Sequence, residues 1–316
     1  MSVESGSQRS DRSSLDTRAL DVIPRDLKDP QKSYAKRPRF SSGMGMRVFI
    51  WITAFLVSIP LLVMIVYSFN RAPGRFNYRL NEFSLHGWLD PFGVPQLFEA
   101  LSNSVLVALC AAAATAVLGT IASFVLTRKG FPAKQFWSMF TFIPLATPEI
   151  ILGAGLLSLF VSSAALEPFA SILPEGLLYP LGISSVMIAH ITFGIGYVIV
   201  TTRTRFVELD SRFEEAAADL GASSATVFRT VTFPLVWPSV LSGSLLVFAL
   251  SLDDFVLTNF TAGNTPMFPT WLFGLLRRQL PTQVDVVGVI LFLIASVSML
   301  GSLLIIRSVN RARKPG

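Results

Sequence analysis

The chain has 316 residues, of which 52% are hydrophobic and only 15% charged, with a mean hydropathy of +0.58. Soluble domains carry about 25% charge and disordered chains are poor in apolar residues, so neither describes this protein. A single cysteine, Cys110, excludes a disulfide framework, and the net charge of +6 fits either a nucleic-acid binder or an oriented membrane protein.

Residues 1–46 are rich in Ser, Arg, Asp and Pro, which predicts a disordered basic tail. The apolar run that follows begins too late and is too long for a cleaved signal peptide, so it is expected to stay as an anchor. Lys36, Arg37 and Arg39 either meet anionic headgroups or are simply solvated.

A bilayer core of about 30 Å needs roughly 20 helical residues. Six apolar runs meet that length: 48–69, 100–127, 135–166 (interrupted by Glu149), 176–202 (containing His190), 230–252 (ending at Asp253-Asp254) and 286–306. Lys and Arg in alternate connecting segments number 21 on one side and 5 on the other. The positive-inside rule then places both termini in the cytoplasm. The basic charge is thereby a topology signal, and no nucleic-acid partner is expected. Trp51, Trp137, Trp237 and Trp271 fall near span ends and read as interface anchors.

Intramembrane carboxylates are costly, so each is a candidate for the solute path. Taken as straight helices, span 3 carries Glu149 13 residues in, about 20 Å of rise, and span 5 carries Asp253 about 21 Å in. Glu149, Asp253 and Asp254 are therefore expected at similar depth. The competing readings are that the Asp pair marks the wet end of span 5, and that Glu149 satisfies backbone groups freed by Pro144 and Pro148. His190 is either a proton relay or a neutral imidazole bonded to a neighbouring helix. Asn259, Thr258 and Thr261 line an outer mouth or cap the loop. Gly153-x-Gly155 and Gly194-x-Gly196 are expected to permit close helix packing.

The segment 203–229 is longer than the other cytoplasmic loops. Ser211 followed by Glu214 predicts a capping box, and Gly221 suits the left-handed position that closes a helix. Phe213, Ala216, Ala217 and Leu220 share one helical face, with Glu214, Glu215 and Asp219 off it. Ser223 or Ser224 is placed to cap a second short helix. The expectation is a short helix along the membrane that docks on a cytoplasmic partner. The alternative is a helix lying on membrane lipid, against which its acidic polar face argues.

Glu215-Ala216-Ala217, then Gly221, then Val231-Thr232-Phe233-Pro234 resembles the EAA loop of ABC importer permeases, E-A-A-x3-G-x9-I-x-L-P. Val231 and Phe233 replace the Ile and Leu of that pattern and keep it apolar. Further segments look like the spermidine/putrescine permeases of that class: Ala189-His190-Ile191-Thr192-Phe193 with 198–202, EAAADLGAS at 215–223, LSLDD at 250–254 with Thr261-Ala262-Gly263, Tyr67-Ser68-Phe69-Asn70, and Asn103-Ser104-Val105. The resemblance covers roughly 47–307.

It implies an all-α integral membrane protein of the cell membrane. Six transmembrane helices would have the type I ABC importer permease (MetI-like) architecture, over 47–309, with an EAA loop at 208–238, a cytoplasmic coupling helix and a short tail at 310–316. It implies that Phe213, Glu214, Glu215, Ala216, Ala217, Leu220 and Gly221 couple to an ATPase. The implied partners are cytoplasmic ABC ATPase subunits, a second permease subunit and an extracytoplasmic solute-binding protein, with polyamines as the imported solute. The chain itself is not expected to be an enzyme or to hold a cofactor or metal: it has no phosphate loop, no nucleophile elbow and no metal-ligand spacing. A secondary transporter, the rival from another class, would need a complete site and often shows internal repeats, of which none is evident.

Overall fold

The computed structural model describes residues 44–72, 74–127, 132–163, 177–294 and 296–297. The expected tails at 1–46 and 310–316 therefore lie outside it, apart from residues 44–46, which are already helical. Two compact units divide the chain at Leu62 and Val63. In the first, the described residues form the start of α1 (Met44–Ser68), whose Phe49, Trp51 and Phe55 are exposed.

The second unit begins with the end of α1 and a pinned loop. Strand β1 (Asn70–Arg71) pairs antiparallel with β2 (Glu82–Phe83). Asn70 Nδ2 donates to Asn77 Oδ1 (2.6 Å) and the Arg79 carbonyl (2.7 Å), and Asn77 Nδ2 donates to the Tyr67 carbonyl (2.9 Å) and Asp285 Oδ2 (2.8 Å). Both buried amides thus spend their donors inside the fold, as buried polar groups must. Helix α2 (His86–Leu89) follows.

Helix α3 (Leu97–Thr127) packs against α6 (Ile183–Glu208) and α9 (Phe233–Asp253). Its buried stripe is made of small residues: Ala100, Ser104, Ala108, Ala111, Thr115, Gly119 and Ser123. Steps of three and four place them on one face, and small side chains let helix backbones approach in a bilayer. The glycines complete the contact. A Cβ at Gly119 would stand 2.8 Å from Val198, and one at Gly194 would stand 2.6 Å from Val247 and 3.4 Å from Thr115. Ser123 Oγ donates across to the Ile199 carbonyl (3.1 Å). Gly153 is likewise pressed on Phe260, whereas Gly155 faces open space, so only one member of that pair packs closely. Gly194→Val should therefore cost about 1–3 kcal/mol of overpacking. It should lower the thermal midpoint of the detergent-solubilised protein, and Gly155→Val should leave the midpoint unchanged.

The third expected span is not one helix. Helix α4 (Lys134–Ala146) and α5 (Glu149–Ser163) meet at 104°. Pro148 disfavours helical backbone at the residue before it, and Thr147 is extended (φ −80°, ψ 128°). The Pro148 carbonyl then accepts from Ile151 and Leu152, which starts a new helix. Pro144 stays within α4. The straight-helix depth for Glu149 is corrected by this break: Glu149 opens the second half-helix. Leu156 and Phe160 of α5 pack with Ala189, Phe193 and Leu257.

After α6 come α7 (Arg212–Asp219), α8 (Ser224–Val227), a π-helix (Phe228–Thr232) and α9. The last three form one apolar run, Ser224–Asp253. Helices α10 (Val256–Thr261), α11 (Phe268–Leu276) and α12 (Thr282–Ile294) follow. Among the described residues, α1, α3, α6 and the α8–α9 run are long and apolar enough to cross a membrane, and the α4–α5 pair makes a fifth if counted as one broken span. The sixth expected run begins in α12, and its residues 298–306 lie outside the described ones.

Candidate functional site

The residues singled out by the sequence fall in two places. The first is α7. Its N-terminus is not the expected capping box: Ser211 makes no side-chain cap, and the Arg212 amide donates instead to Asp210 Oδ1 (3.0 Å). Asp210 competes successfully because its carboxylate already stands two residues ahead of the orphan donor. Glu214 is then released from the local role. Its Oε1 accepts from Thr232 Oγ1 (2.6 Å), 18 residues further on. The C-terminus closes as the sequence predicts. Gly221 has φ +81°, its amide donates to the Ala218 carbonyl, and the Ala222 amide reaches the Ala217 carbonyl. This is a Schellman closure, which a residue with a Cβ adopts poorly. Ser223 caps α8 through the Thr226 amide.

On α7, Leu220 is 90% and Phe213 58% exposed, Ala216 is exposed and Ala217 half-buried. Glu215 and Asp219 are also exposed. An exposed apolar stripe on a helix whose polar face is acidic is a surface suited to a protein rather than to headgroups.

The second place is the end of α9. Asp253 is exposed, while the Asp254 side chain is only 7% exposed. The two neighbours therefore differ where the sequence could treat them as a pair. Asp254 Oδ1 accepts from the Leu257 amide (3.1 Å) at the start of α10. Its Oδ2 is buried without a hydrogen-bond partner and stands 3.4 Å from His190 Nε2. That is ion-pair range without hydrogen-bond geometry. His190, itself 1% exposed, lies 2.6 Å by Nδ1 from Ser251 Oγ and 3.1 Å by Nε2 from Thr258 Oγ1. The reading of a histidine bonded to neighbouring helices is the one the geometry fits, and Thr258 is one of its partners rather than a mouth residue. Thr261 is spent on the Leu257 carbonyl (2.7 Å).

The side chain of Glu149, at the first position of α5, makes no hydrogen bond among the described residues, so it does not take up the backbone groups at the proline break. It lies within electrostatic reach of Asp254, as does Asp253. The break that moves Glu149 off its straight-helix position also carries α5 alongside α10, through Gly153 and Phe260. The three carboxylates are thus gathered at one end of α9 and α10.

Asp253 opens on a cavity of about 500 Å³ lined also by Phe248, Phe255, Phe268 and Phe273. Arg277 already lies over the Phe273 ring, 4.6 Å from its centroid, so the Asp253 carboxylate and the other three rings are what an aliphatic cation could meet there. Sequence reasoning missed these phenylalanines and missed Ser251. The first are indistinguishable from lipid-facing residues in an apolar run, and the second carries no signal until the fold brings it to His190. Among the described residues, no group of three or more His, Cys, Asp and Glu could hold a metal ion.

The family described as binding-protein-dependent transport system inner membrane component matches residues 115–314. Over 263 residues, 83% of this chain and 96% of the other, the chain is 32% identical to the spermidine/putrescine transport system permease protein PotC of Haemophilus influenzae. It is 32% identical to the putrescine transport system permease protein PotI of Escherichia coli over 78% of this chain and 85% of that one. It is 30% identical to the PotC protein of Escherichia coli over 79% and 89% respectively. Among solved structures, a bacterial ABC transporter involved in the import of the acidic polysaccharide alginate matches with a TM-score of 0.53 at 14% identity, covering 86% of this chain and 98% of that one. At that identity the likeness is one of fold.

Proposed function

The chain belongs to the family of binding-protein-dependent transport system inner membrane components, and from that premise we propose that it is one permease half of an ATP-driven importer of polyamines. It is a multi-pass membrane protein whose relatives at 30–32% identity carry spermidine and putrescine. In this reading six helices span the membrane and both termini are cytoplasmic, in line with the 21-to-5 distribution of Lys and Arg.

The observation that carries the reading is the exposed stripe Phe213, Ala216 and Leu220 on α7, flanked by Glu215 and Gly221. In an importer it is the face that seats in an ATPase subunit. Ala216 and Ala217 allow close approach, Phe213 and Leu220 fill apolar pockets, and Glu215 meets a basic rim. ATP is hydrolysed on that separate subunit. A second permease subunit completes the passage, and an extracytoplasmic binding protein delivers the solute. Glu149, Asp253 and Asp254 form the cationic solute's path. Asp253 with the phenylalanine cavity holds an ammonium group and its methylene chain, because each desolvated charge there meets a carboxylate or a ring face.

Proteoliposomes holding the four kinds of component test this. Spermidine uptake should require ATP and the loaded binding protein. Uptake that persists without ATP and follows a proton or sodium gradient would overturn the reading in favour of a secondary transporter.

A further inference from the structure

The hydrogen bond from Thr232 to Glu214 joins α7 to the π-helix by side chains, across the turn that separates them in sequence. Helix α7 connects to α8 across Leu220–Ser223, a turn that includes the left-handed Gly221. Such a turn transmits little torque, because its dihedrals can absorb a displacement. The side-chain bond bypasses it. Thr232 is wholly buried, and Glu214 is the half-buried acid of α7, whereas Glu215 and Asp219 are exposed.

The far partner is well placed. Thr232 is the last residue of the π-helix and directly precedes α9. Pro234 lacks an amide hydrogen, so the Thr230 carbonyl has no helical donor there. The i→i+5 pattern is one way to accommodate that, and single π turns recur at functional sites. Phe228, at the start of the π-helix, is held edge-on against Phe124 of α3 (4.9 Å between centroids). From Thr232 onward α9 is a 21-residue rod with Pro238 in its second turn, about 30 Å long. Its other end holds Asp253, Asp254 and the Ser251 hydroxyl that touches His190.

Resting on the reading of α7 as the ATPase-docking helix, we propose that the Glu214–Thr232 bond is the strut through which displacement of α7 drives α9, making Glu214 and Thr232 positioning residues of the transport cycle. The bond is not needed for local satisfaction. A threonine in this helix can bond back to its own turn, as Thr230 does to the Thr226 carbonyl (2.7 Å). Glu214 could have returned to the Ser211 amide in the capping box that its position predicts. Both groups instead reach across to each other, and that link gives α7 a rigid hold on the rod. Without it, nucleotide-driven motion of α7 is dissipated in the turn at Gly221.

The test uses the complete transporter in proteoliposomes, with spermidine transported per ATP hydrolysed as the readout. A cysteine at position 217 (Ala217→Cys), crosslinked to the ATPase subunit, reports docking. Thr232→Val keeps the shape and removes the donor, and Glu214→Ala removes the acceptor. Thr232→Ser and Glu214→Gln keep donor and acceptor respectively. In Thr232→Val the crosslink and ATP hydrolysis should persist while spermidine per ATP falls five- to ten-fold, on the order of a typical coupling between sites, and Glu214→Ala should show the same fall in spermidine per ATP. The two conservative variants should restore it. Unchanged spermidine per ATP in Thr232→Val, or an equal loss in Thr232→Ser, overturns the strut. Loss of the crosslink in Thr232→Val alone also overturns it, by assigning the bond to shaping α7. If no crosslink forms even with Thr232 and Glu214 intact, the docking reading itself fails, and that result is distinct from the others.

Discussion

Replacing Phe213 and Leu220 together with Ser should abolish ATP-driven uptake and release the ATPase subunit from the purified complex. The two side chains are 58% and 90% exposed, so the change removes little of the chain's own packing. What it removes is apolar surface available to a partner. Burial of a Leu or Phe side chain contributes about 1.5–3 kcal/mol. Loss of both weakens docking by roughly 100-fold or more, at 1.4 kcal/mol per decade. The helix itself should persist, because the Asp210 cap and the Gly221 closure are untouched. Co-purification of the ATPase subunit checks the result. If the double variant retains its ATPase and its transport, α7 lies on lipid and the docking reading is wrong.

The second large effect is expected at Asp254. Asn keeps the size of the side chain and the acceptor for the Leu257 amide, so the start of α10 should survive. It removes the negative charge from the buried position facing His190 and places an amide where Oδ2 stood. Uptake of a polyamine should fall on the order of 10- to 100-fold, the equivalent of about 1.4–2.7 kcal/mol of lost stabilisation. The assembled complex should still hydrolyse ATP. Asp253→Asn should act in the same direction through the aromatic cavity, by raising the solute concentration for half-maximal uptake. Wild-type uptake by an assembled Asp254→Asn transporter would remove that carboxylate from the path.

Much of this was legible in the sequence where the determining residues are close together in the chain. The run lengths, the alternation of Lys and Arg, and the EAA segment are all local patterns. Gly221 could be assigned to a left-handed closure because the helix before it has a clear end. The cap at the other end was not legible, since Asp210 and Ser211 are both good capping residues and only the backbone at Ser211 decides between them. Pro144 and Pro148 look alike on paper, yet α4 absorbs one and breaks at the other. The partner of Glu214 lies 18 residues away, and those of His190 lie 61 and 68 residues away. No periodicity reports a contact between side chains at such separations. The four phenylalanines around Asp253 are hidden for a different reason: a bilayer and an open apolar cavity select the same side chains.

The bend between α4 and α5 has a mechanical consequence. Gly196 of α6 is fitted against Thr141 and Leu145 of α4, while Gly153 of α5 is fitted against Phe260 of α10. The two segments therefore meet α6 at different places, α5 through Leu156 and Phe160 on Ala189 and Phe193, and they hinge at Thr147. A rotation at Thr147 can shift the Glu149 segment, held on both α6 and α10, relative to α4, so one stretch of sequence serves two moving parts.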